Sequence, residues 1–487
     1  MTMTRHLLSP LLAILITTAT AQVPTLLRDI NPSGDSGADG IGCVNGLVYF
    51  RANDGTHGME PWVSDGTTAG TRMLMDINPG SAGSLPSTFL GWQERVYFAA
   101  DNGVNGYELW STDGTTAGTV VELSIDNIND LESSNYFTVY NDMIVFQGQT
   151  EASGRELWIS DGTVEGTVLL ADLNPGALSS SPRHFAEYDG LLYFAANTPD
   201  IDEELWVTDG TTEGTHLVKD IDEGSGSGAP RDFAVANGLL FFKGDDGYAH
   251  GPELWATDGT TEGTYMVKDI IPGGNGSLPY GLVSFQDEVW FRAGNGTDLA
   301  LFHSDGTAEG TVELTGSTPA ISYPENLAAH GGHLYFSAFL NGSDQQLWST
   351  DGTAAGTGPI LQPGSTVNGP LYPTDGITSC GDYIFYLAQY DLGIGDEPYT
   401  LLNPTGLDEA LMHQRGLLYP NPTEGRLNLN DAPAGATLQL TNLDGRSVLR
   451  APATDMDISA VANGLYLARI VARDGSVIHS ERVMLAR

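Results

Sequence analysis

Residues 204–215 read Glu-Leu-Trp-Val-Thr-Asp-Gly-Thr-Thr-Glu-Gly-Thr, and versions of this stretch return along most of the chain. The shared pattern is Glu-Leu-Trp, two variable residues, Asp-Gly-Thr, two variable residues and Gly-Thr. The copies are spaced by roughly 48 residues, a period that is typical of solenoids and propellers. The aromatic position is occupied in turn by Trp62, Trp110, Trp158, Trp206, Trp255, Phe302, Trp348 and, in an eroded last copy, Tyr399.

One period contains four short segments with the alternation and the β-branched and aromatic content of strands. In one unit the predicted strands cover residues 183–188, 191–195, 204–208 and 215–221. Asp189-Gly190 separates the first two, and this dipeptide is a strong signal for a tight β-hairpin. Four antiparallel strands in about 48 residues is the size of a propeller blade. The sequence therefore predicts an all-β protein built as a β-propeller.

The two ends of the repeat region predict how the ring closes. Residues 25–32 resemble residues 71–79, which form the fourth strand of a unit. The last unit has three predicted strands but no fourth one after Leu402. We therefore expect the N-terminal strand to complete the last blade, which removes an exposed sheet edge. This count gives eight blades, and seven is the alternative if the eroded copy is not a blade.

The chain contains only two cysteines, Cys43 and Cys380. They fall at corresponding hairpins of the first and last units, which are neighbours in a closed ring. A disulfide between them would lock the closure in an oxidising compartment. The alternative is two unpaired thiols, since a disulfide requires Cα atoms within about 7 Å.

The N-terminus has the features of a secretory signal peptide. Arg5 and His6 precede an apolar run from residue 7 to residue 16, and Ala19-Thr20-Ala21 forms a small-residue cleavage site. The run is too short for a membrane span, and no other segment is apolar for long enough. We expect residues 1–21 to be removed and the chain to have no transmembrane span.

The repeated motif resembles the ELWxxDGT repeat family of secreted bacterial proteins, over about residues 25–405. The resemblance implies a propeller-like repeat protein and brings no catalytic role. The repeated aromatic residue is interpreted as a packing residue between blades. The Asp-Gly-Thr segment is interpreted as a turn whose Asp accepts backbone N–H groups. Calcium is the one cofactor considered, although a single carboxylate per turn falls short of the six to eight oxygens that calcium prefers.

The periodicity stops after Leu407, and a different pattern begins at residue 417. Its landmarks, in chain order, are Tyr419, Pro420, Asn421, Pro422, Gly425, Gly464 and Tyr466. They resemble the type A sorting domain of the type IX secretion system of Bacteroidetes. The resemblance implies a small β-sandwich, the secretion machinery as partner, and a protein that is either attached to the cell surface or released outside it.

The predicted organisation is thus a signal peptide at 1–21, a propeller at 22–410, a linker at 411–416 and a sorting domain at 417–487. The net charge is −42, and it lies in the repeats, because residues 416–487 contain as many arginines as acidic residues. Such a charge repels nucleic acids and anionic lipids. It is compatible with a solvated acidic surface or with cationic partners.

Candidate binding residues lie where the repeats differ from one another, because binding sites concentrate on variable loops of a rigid scaffold. The loops after second strands and after fourth strands vary, whereas the hairpins and Asp-Gly-Thr turns are uniform. The candidates in these variable loops are Asp200, Asp202, Glu203, Asp245, Asp246 and His250.

No hydrolase, metalloprotease, P-loop or dinucleotide motif occurs in the sequence, which favours a role other than catalysis. The first hypothesis is a secreted or cell-surface binding or adhesion module for a carbohydrate, another extracellular polymer or a protein. The alternatives are a secreted hydrolase or lyase with its site at the channel mouth, and a structural coat protein. The sequence leaves the ligand and any metal dependence open.

Overall fold

A computed structural model describes residues 23–123, 137–224, 226–340, 344–361, 376–391 and 393–402, together with the strands of the C-terminal unit and residue 461. The described residues form strands and turns and contain no helix. The chain divides into two compact units, Met1–Thr405 and Gly406–Arg487. The fold is all-β, as the sequence predicts.

The first unit contains eight four-stranded antiparallel sheets, which confirms the count of eight blades rather than seven. Seven blades take their strands consecutively from the chain. Blade 1 consists of Asp39–Val44, Leu47–Asn53, Met59–Ser64 and Arg72–Met73; blade 2 of Ser87–Trp92, Arg95–Asp101, Tyr107–Thr112 and Val120–Leu123; blade 3 of Phe137–Tyr140, Met143–Thr150, Gly154–Ser160 and Val168–Ala171; blade 4 of Arg183–Tyr188, Leu191–Ala196, Glu204–Thr208 and His216–Lys219; blade 5 of Arg231–Ala236, Leu239–Asp245, Pro252–Thr257 and Tyr265–Lys268; blade 6 of Tyr280–Phe285, Glu288–Gly294, Leu299–Ser304 and Val312–Glu313; and blade 7 of Glu325–His330, His333–Leu340, Asp344–Thr350 and Gly358–Ile360.

Blade 8 combines the two ends of the repeat region. Thr378–Cys380, Tyr383–Ala388 and Glu397–Leu402 are its first three strands, and Thr25–Leu26 is the fourth. Thr25 pairs with Thr400 and Leu26 with Tyr399. The first strand of every blade also contacts the first strands of both neighbouring blades, so the eight first strands form a closed inner ring.

Each turn between third and fourth strands is closed by its own side chains. In blade 1, Asp65 Oδ1 accepts hydrogen bonds from the backbone N–H of Thr67 at 2.9 Å and from its hydroxyl at 2.6 Å. Thr67 Oγ1 accepts from Gly70 N at 3.0 Å, and Thr71 Oγ1 pairs with Ser64 Oγ at 2.8 Å. A Cβ atom on Gly70 would lie 2.1 Å from Asp65 Oδ1, so only glycine fits. The same Asp-to-Thr bonds occur in the turns of Asp113, Asp161, Asp209, Asp258, Asp305 and Asp351.

The repeated aromatic side chains lie between blades. Trp62 packs with Leu27 and Phe385 in a cluster shared by blades 8 and 1. Trp110 packs with Tyr49 in the cluster shared by blades 1 and 2. The same place in the other six interfaces is taken by Trp158, Trp206, Trp255, Phe302, Trp348 and Tyr399. Large buried aromatic areas of this kind dominate the packing energy between sheets.

In blades 1, 3, 4, 5 and 8, the glutamate that opens the motif joins the blade to the next connection. Glu204 is fully buried, and its carboxylate accepts the backbone N–H groups of Ile221 and Gly228, both at 2.7 Å. Glu397 of blade 8 accepts from Ile30 N at 2.9 Å and Asn31 N at 3.2 Å, so the same contact closes the ring. Glu60, Glu156 and Glu253 are buried in the same way.

A disulfide joins the first strands of blades 1 and 8. Cys43 and Cys380 are bonded, with their Cα atoms 5.4 Å apart. The bond encloses nearly the whole propeller, because 337 residues separate the two cysteines in the chain. It supplements the pairing of Thr25–Leu26 at the same junction.

The second unit contains two antiparallel sheets. One consists of Leu418–Tyr419, Arg426–Leu429 and Met456–Asp457, and the other of Ser447–Pro452, Thr437–Thr441, Gly464–Val471 and Val477–Leu485. Tyr419, Gly464 and Tyr466 of the predicted sorting motif lie on these strands. Pro420, Asn421, Pro422 and Gly425, together with the signal peptide and the linker at 411–416, lie outside the described residues.

We expect replacement of Cys43 and Cys380 by serine to lower the free energy of unfolding by roughly 2–5 kcal/mol, because the closure of a long loop in the unfolded chain is lost. Thermal melting of the double variant and of the wild type measures the difference. Two thiols that react in the denatured, unreduced wild-type protein would contradict the bond.

We expect the propeller to lose stability as the pH rises through the range where its buried glutamates ionise. Burial raises the pKa of Glu204 and of Glu397 to about 7. A raised pKa in the folded state gives stability that is fully present below about pH 4.5 and is lost as the pH passes about 7. The loss is on the order of 3 kcal/mol for each group.

The variants Glu204→Gln and Glu397→Gln test this pH dependence. We expect the unfolding midpoint of each variant to change less with pH than that of the wild type. Gln346 occupies the same position in blade 7 and is only 2% exposed, so the fold accommodates glutamine there. Glu213→Gln, which removes an exposed carboxylate in blade 4, is the control. If the unfolding midpoint of the two glutamine variants changed with pH as much as that of the wild type, other titrating groups would be responsible for the pH dependence.

Candidate functional site

We call the surface formed by the connections after second strands and after fourth strands the divergent face. These connections lie side by side, since Asn197 N donates to Ser180 O at 2.8 Å and Asp245 N to Gly228 O at 2.9 Å. Each of these bonds joins a loop after a second strand to a connection between blades. The candidate residues predicted from the sequence all belong to this face.

The loop of blade 4 separates its three candidates. Asp200 and Asp202 are exposed, and Asp202 Oδ1 accepts from Glu203 N at 3.0 Å. Glu203 is only 8% exposed and forms a two-bond ion pair with Arg183, at 2.5 Å to Nε and 2.9 Å to Nη2. Glu203 therefore belongs to the interior of the ring, whereas the two aspartates face solvent.

The loop of blade 5 uses Asp246 and His250 to close a turn. Asp246 accepts the backbone N–H of His250 at 3.0 Å, and its second oxygen lies 2.6 Å from His250 Nδ1. This carboxylate raises the pKa of His250. Blade 1 contains the same arrangement in Asp54 and His57, at 2.8 Å, which the sequence analysis missed. The sequence signal for both turns is an Asp-Gly pair with a histidine within four residues of the aspartate.

Ten polar side chains converge at the inner end of blades 4 to 7, where the divergent face meets the ring of first strands. We call this group the inner cluster. It consists of Arg183, His184, Glu203, Arg231, Asp232, Lys243, Asp245, Tyr280, Arg292 and Glu325. Two of the six predicted residues, Glu203 and Asp245, belong to it.

Lys243 is the central feature of the inner cluster. It lies directly opposite Arg231 in the strand ladder and is only 8% exposed. No described residue forms a hydrogen bond or an ion pair with the ammonium group of Lys243. Burial lowers the pKa of Lys243, the charge of Arg231 lowers it further, and Asp232 and Asp245 oppose the shift.

Asp232 and Arg292 each leave a buried polar atom without a partner. Asp232 has a φ of +56° and accepts the backbone N–H of Gly281, and burial raises its pKa. Its Oδ2 atom has no hydrogen-bond partner within the described part of the chain, and neither has Arg292 Nε. Arg292 also donates to Glu325 and lies over the Tyr280 ring, 4.8 Å from its centre.

His184 completes the inner cluster next to Arg183. It has a φ of +59°, and burial lowers its pKa to about 4, against an opposing effect of Glu203. The imidazole is therefore neutral at neutral pH. The nearby charges of Arg183 and Arg231 act in the same direction as burial.

The sequence analysis missed the basic members of this cluster because they sit on strands rather than in loops. Arg183 and Arg231 each begin a first strand, and Lys243 and Arg292 lie on second strands. The available signal was the scarcity of lysine and arginine in so acidic a chain, which makes each inward-facing cation unusual.

The inner cluster combines unpaired donors, an unpaired acceptor and an exposed aromatic ring, which suits binding of a small polar group. No set of three or more potential metal ligands occurs within the residues the structure describes. The calcium hypothesis therefore stays a prediction.

The C-terminal unit matches a family model. Residues 417–484 match the secretion system C-terminal sorting domain, which confirms the prediction for this unit. The chain is therefore exported across the outer membrane to the cell surface, and the sorting domain implies contact with the secretion machinery. Within the described ranges, no helix has the length and hydropathy to cross a membrane.

The comparison with solved structures gives distant relatives with propellers. PorZ, a surface component of the type IX secretion system of Porphyromonas gingivalis, is 13% identical over 92% of this chain and 65% of its own, with a TM-score of 0.41. Prolyl oligopeptidase B from Galerina marginata is 14% identical over 76% of this chain and 55% of its own, with a TM-score of 0.43. Puromycin hydrolase is 13% identical over 77% of this chain and 62% of its own, with a TM-score of 0.41. The chain thus spans less than two thirds of the length of each, and no curated protein matches its sequence.

We expect Lys243→Met to raise the thermal stability, because it replaces a lysine that is only 8% exposed and has no ion-pair partner among the described residues with an apolar chain of similar volume. Replacing a buried ion pair with hydrophobic residues of similar volume is often neutral or stabilising by about 1–4 kcal/mol, and a lysine without a partner has less attraction to lose. Lys219→Met, which removes the same charge from the outermost strand of blade 4, should change the melting temperature little. A lower melting temperature for Lys243→Met would show that the ammonium group is well satisfied.

Proposed function

We propose that this surface-exported propeller is a binding module that attaches to an extracellular glycan or related polymer through its divergent face. Membership of the ELWxxDGT repeat family is part of this proposal. The support from the fold is an asymmetry between the two faces. The face of the Asp-Gly-Thr turns repeats one closed hydrogen-bond pattern, whereas the divergent face differs from blade to blade.

The observation that carries the proposal is a set of exposed tyrosines on the divergent face of consecutive blades. Tyr248 follows the second strand of blade 5 and is fully exposed. Tyr280, half exposed, and Tyr323, 43% exposed, lie at the connections that lead into blades 6 and 7. Tyrosine offers a rigid apolar ring with a polar tip, which suits stacking on the apolar face of a sugar ring. Exposed aromatic residues on connections of a rigid scaffold are characteristic of recognition surfaces.

The acidic charge of the propeller is compatible with this role. A net charge of −42 disfavours nucleic acids and anionic membranes and does not oppose neutral polymers. The inner cluster, in which four cations lie among four carboxylates, lacks this excess of negative charge. Binding through aromatic rings and hydrogen bonds depends little on the long-range field at an ionic strength of about 0.15 M, where charges are screened beyond about 8 Å.

We expect the secreted protein to bind at least one polysaccharide saturably in a glycan screen performed with and without calcium. Tyr280→Ala should weaken that binding by about 10-fold or more, as truncation of a central aromatic contact does at other interfaces. Tyr248→Ala and Tyr323→Ala should weaken it to smaller extents. Tyr265→Ala is the matched control, because Tyr265 has similar exposure but lies on the outermost strand of blade 5.

Other outcomes of the same experiment separate the alternatives. If all four variants bound the polysaccharide with the affinity of the wild type, the binding site would lie elsewhere than on the divergent face. Shortened products in the incubated polymer would favour the hydrolase or lyase hypothesis. The absence of binding and of cleavage with every polymer tested would leave the structural coat hypothesis.

A further inference from the structure

We infer that the inner cluster binds the carboxylate group of an acidic sugar, so that the polymer recognised by this propeller contains uronic acid residues. The inference deepens the function proposed above and rests on it. It assigns a ligand group to side chains of the inner cluster. This cluster includes Tyr280, one of the exposed tyrosines of the divergent face.

The first step is the missing partner of Lys243. Buried charges in proteins are almost always paired, because an isolated ammonium group loses its hydration without compensation. Lys243 is more than nine-tenths buried, and no described carboxylate lies within ion-pair distance of it. This happens in a chain with 62 acidic and 20 basic residues, where carboxylates are abundant. A carboxylate supplied by a ligand would provide the partner that the protein does not.

The second step is the pairing pattern of the neighbouring cations. Arg183 is matched by Glu203, and Arg292 by Glu325. Arg231 lies directly opposite Lys243 in the ladder. Its guanidinium group has no hydrogen-bonding or ion-pair partner in the described part of the chain. Two cations on adjacent strands therefore lack a direct ion-pair contact, although Asp232 and Asp245 interact with Lys243 at longer range. A planar carboxylate can accept hydrogen bonds from both cations.

The third step distinguishes a sugar acid from an inorganic anion. Asp232 and Asp245 act electrostatically on Lys243, so the site presents carboxylates as well as cations. The Oδ2 atom of Asp232 lacks a donor. Sulfate would bring acceptors to both kinds of group, whereas a uronic acid brings an acceptor carboxylate and donor hydroxyls on one ring. The mixed site therefore fits a hydroxylated acid.

The fourth step is the place of the site at an accessible end of the ring. Arg231 and Tyr280 are the first residues of their blades' first strands, and Lys243 is two residues from the end of its second strand. All three positions are adjacent to connections of the divergent face. The half-exposed Tyr280 ring, whose face is approached by Arg292, lies beside the cations and offers a stacking surface for the same sugar.

The test compares two hexasaccharides with one backbone, hexagalacturonate and its fully methyl-esterified form, by calorimetric titration of the secreted protein. We expect the acid form to bind at least about 10-fold more tightly than the ester, because esterification removes the charge-assisted hydrogen bonds. Lys243→Met and Arg231→Gln should each abolish this preference, and Lys243→Arg should retain most of it. Lys219→Met, the charge-matched control, should leave it unchanged. Melting curves of each variant show that the fold is intact.

Several results would overturn the inference, and they separate it from the proposed function. Equal affinity for acid and ester, or an unchanged preference in Lys243→Met, would refute the carboxylate site while the binding function stands. Binding of neutral glycans alone would do the same. Displacement of the hexasaccharide by an equal concentration of inorganic phosphate would show a general anion site instead. Failure to bind any glycan in the wider screen would refute both.

Discussion

The structure depends above all on the closure of a ring whose last blade is incomplete in the chain. Thr25–Leu26 provides the missing strand of blade 8 by pairing with Glu397–Leu402. Glu397 then binds the backbone leading into blade 1, and the Cys43–Cys380 bond joins the same two blades. Closure brings every first strand into contact with two others, so no blade has a free inner edge. The inner ring, and any site on it, exists only in the closed state.

In blades 1, 3, 4 and 5, two carboxylates of the repeat lie in opposite environments, one exposed and one buried. The turn aspartate is exposed, and its bonds to the hydroxyl and backbone of the following threonine lower its pKa, as for Asp209. The glutamate of the same motif is buried, and burial raises the pKa of Glu204 to about 7. One closes a local turn, and the other ties a blade to the next connection. These contacts stabilise the framework through the Asp-Gly-Thr turns and the backbone of the connections between blades. They therefore leave the side chains of the divergent face free to differ.

Departures from symmetry concentrate where those loops meet the inner ring. Positions on second strands opposite the start of the first strand carry Arg51, Ala99, Ala195, Lys243 and Arg292, so the charge beside the inner ring differs from blade to blade. Arg51 is paired with Asp39, but Lys243 is not paired. An unpaired buried charge costs stability, and such costs are typical of functional sites. This cost is the reason why we propose a binding role for the inner cluster.

The sequence by itself determined the all-β class, the strands of the unit at 183–221, the completion of the last blade by the N-terminal strand, and the sorting domain. These features follow from short-range patterns, namely alternation, tight turns and a fixed period, that each repeat carries within its own residues. It left seven and eight blades open, and among its candidates only Glu203 and Asp245 join the inner cluster, while Asp200 and Asp202 face solvent. Only the tertiary structure brought Arg183, Lys243 and Glu325 together. Their proximity depends on the angle and register between blades, which are set by packing across the whole ring and not by any local pattern.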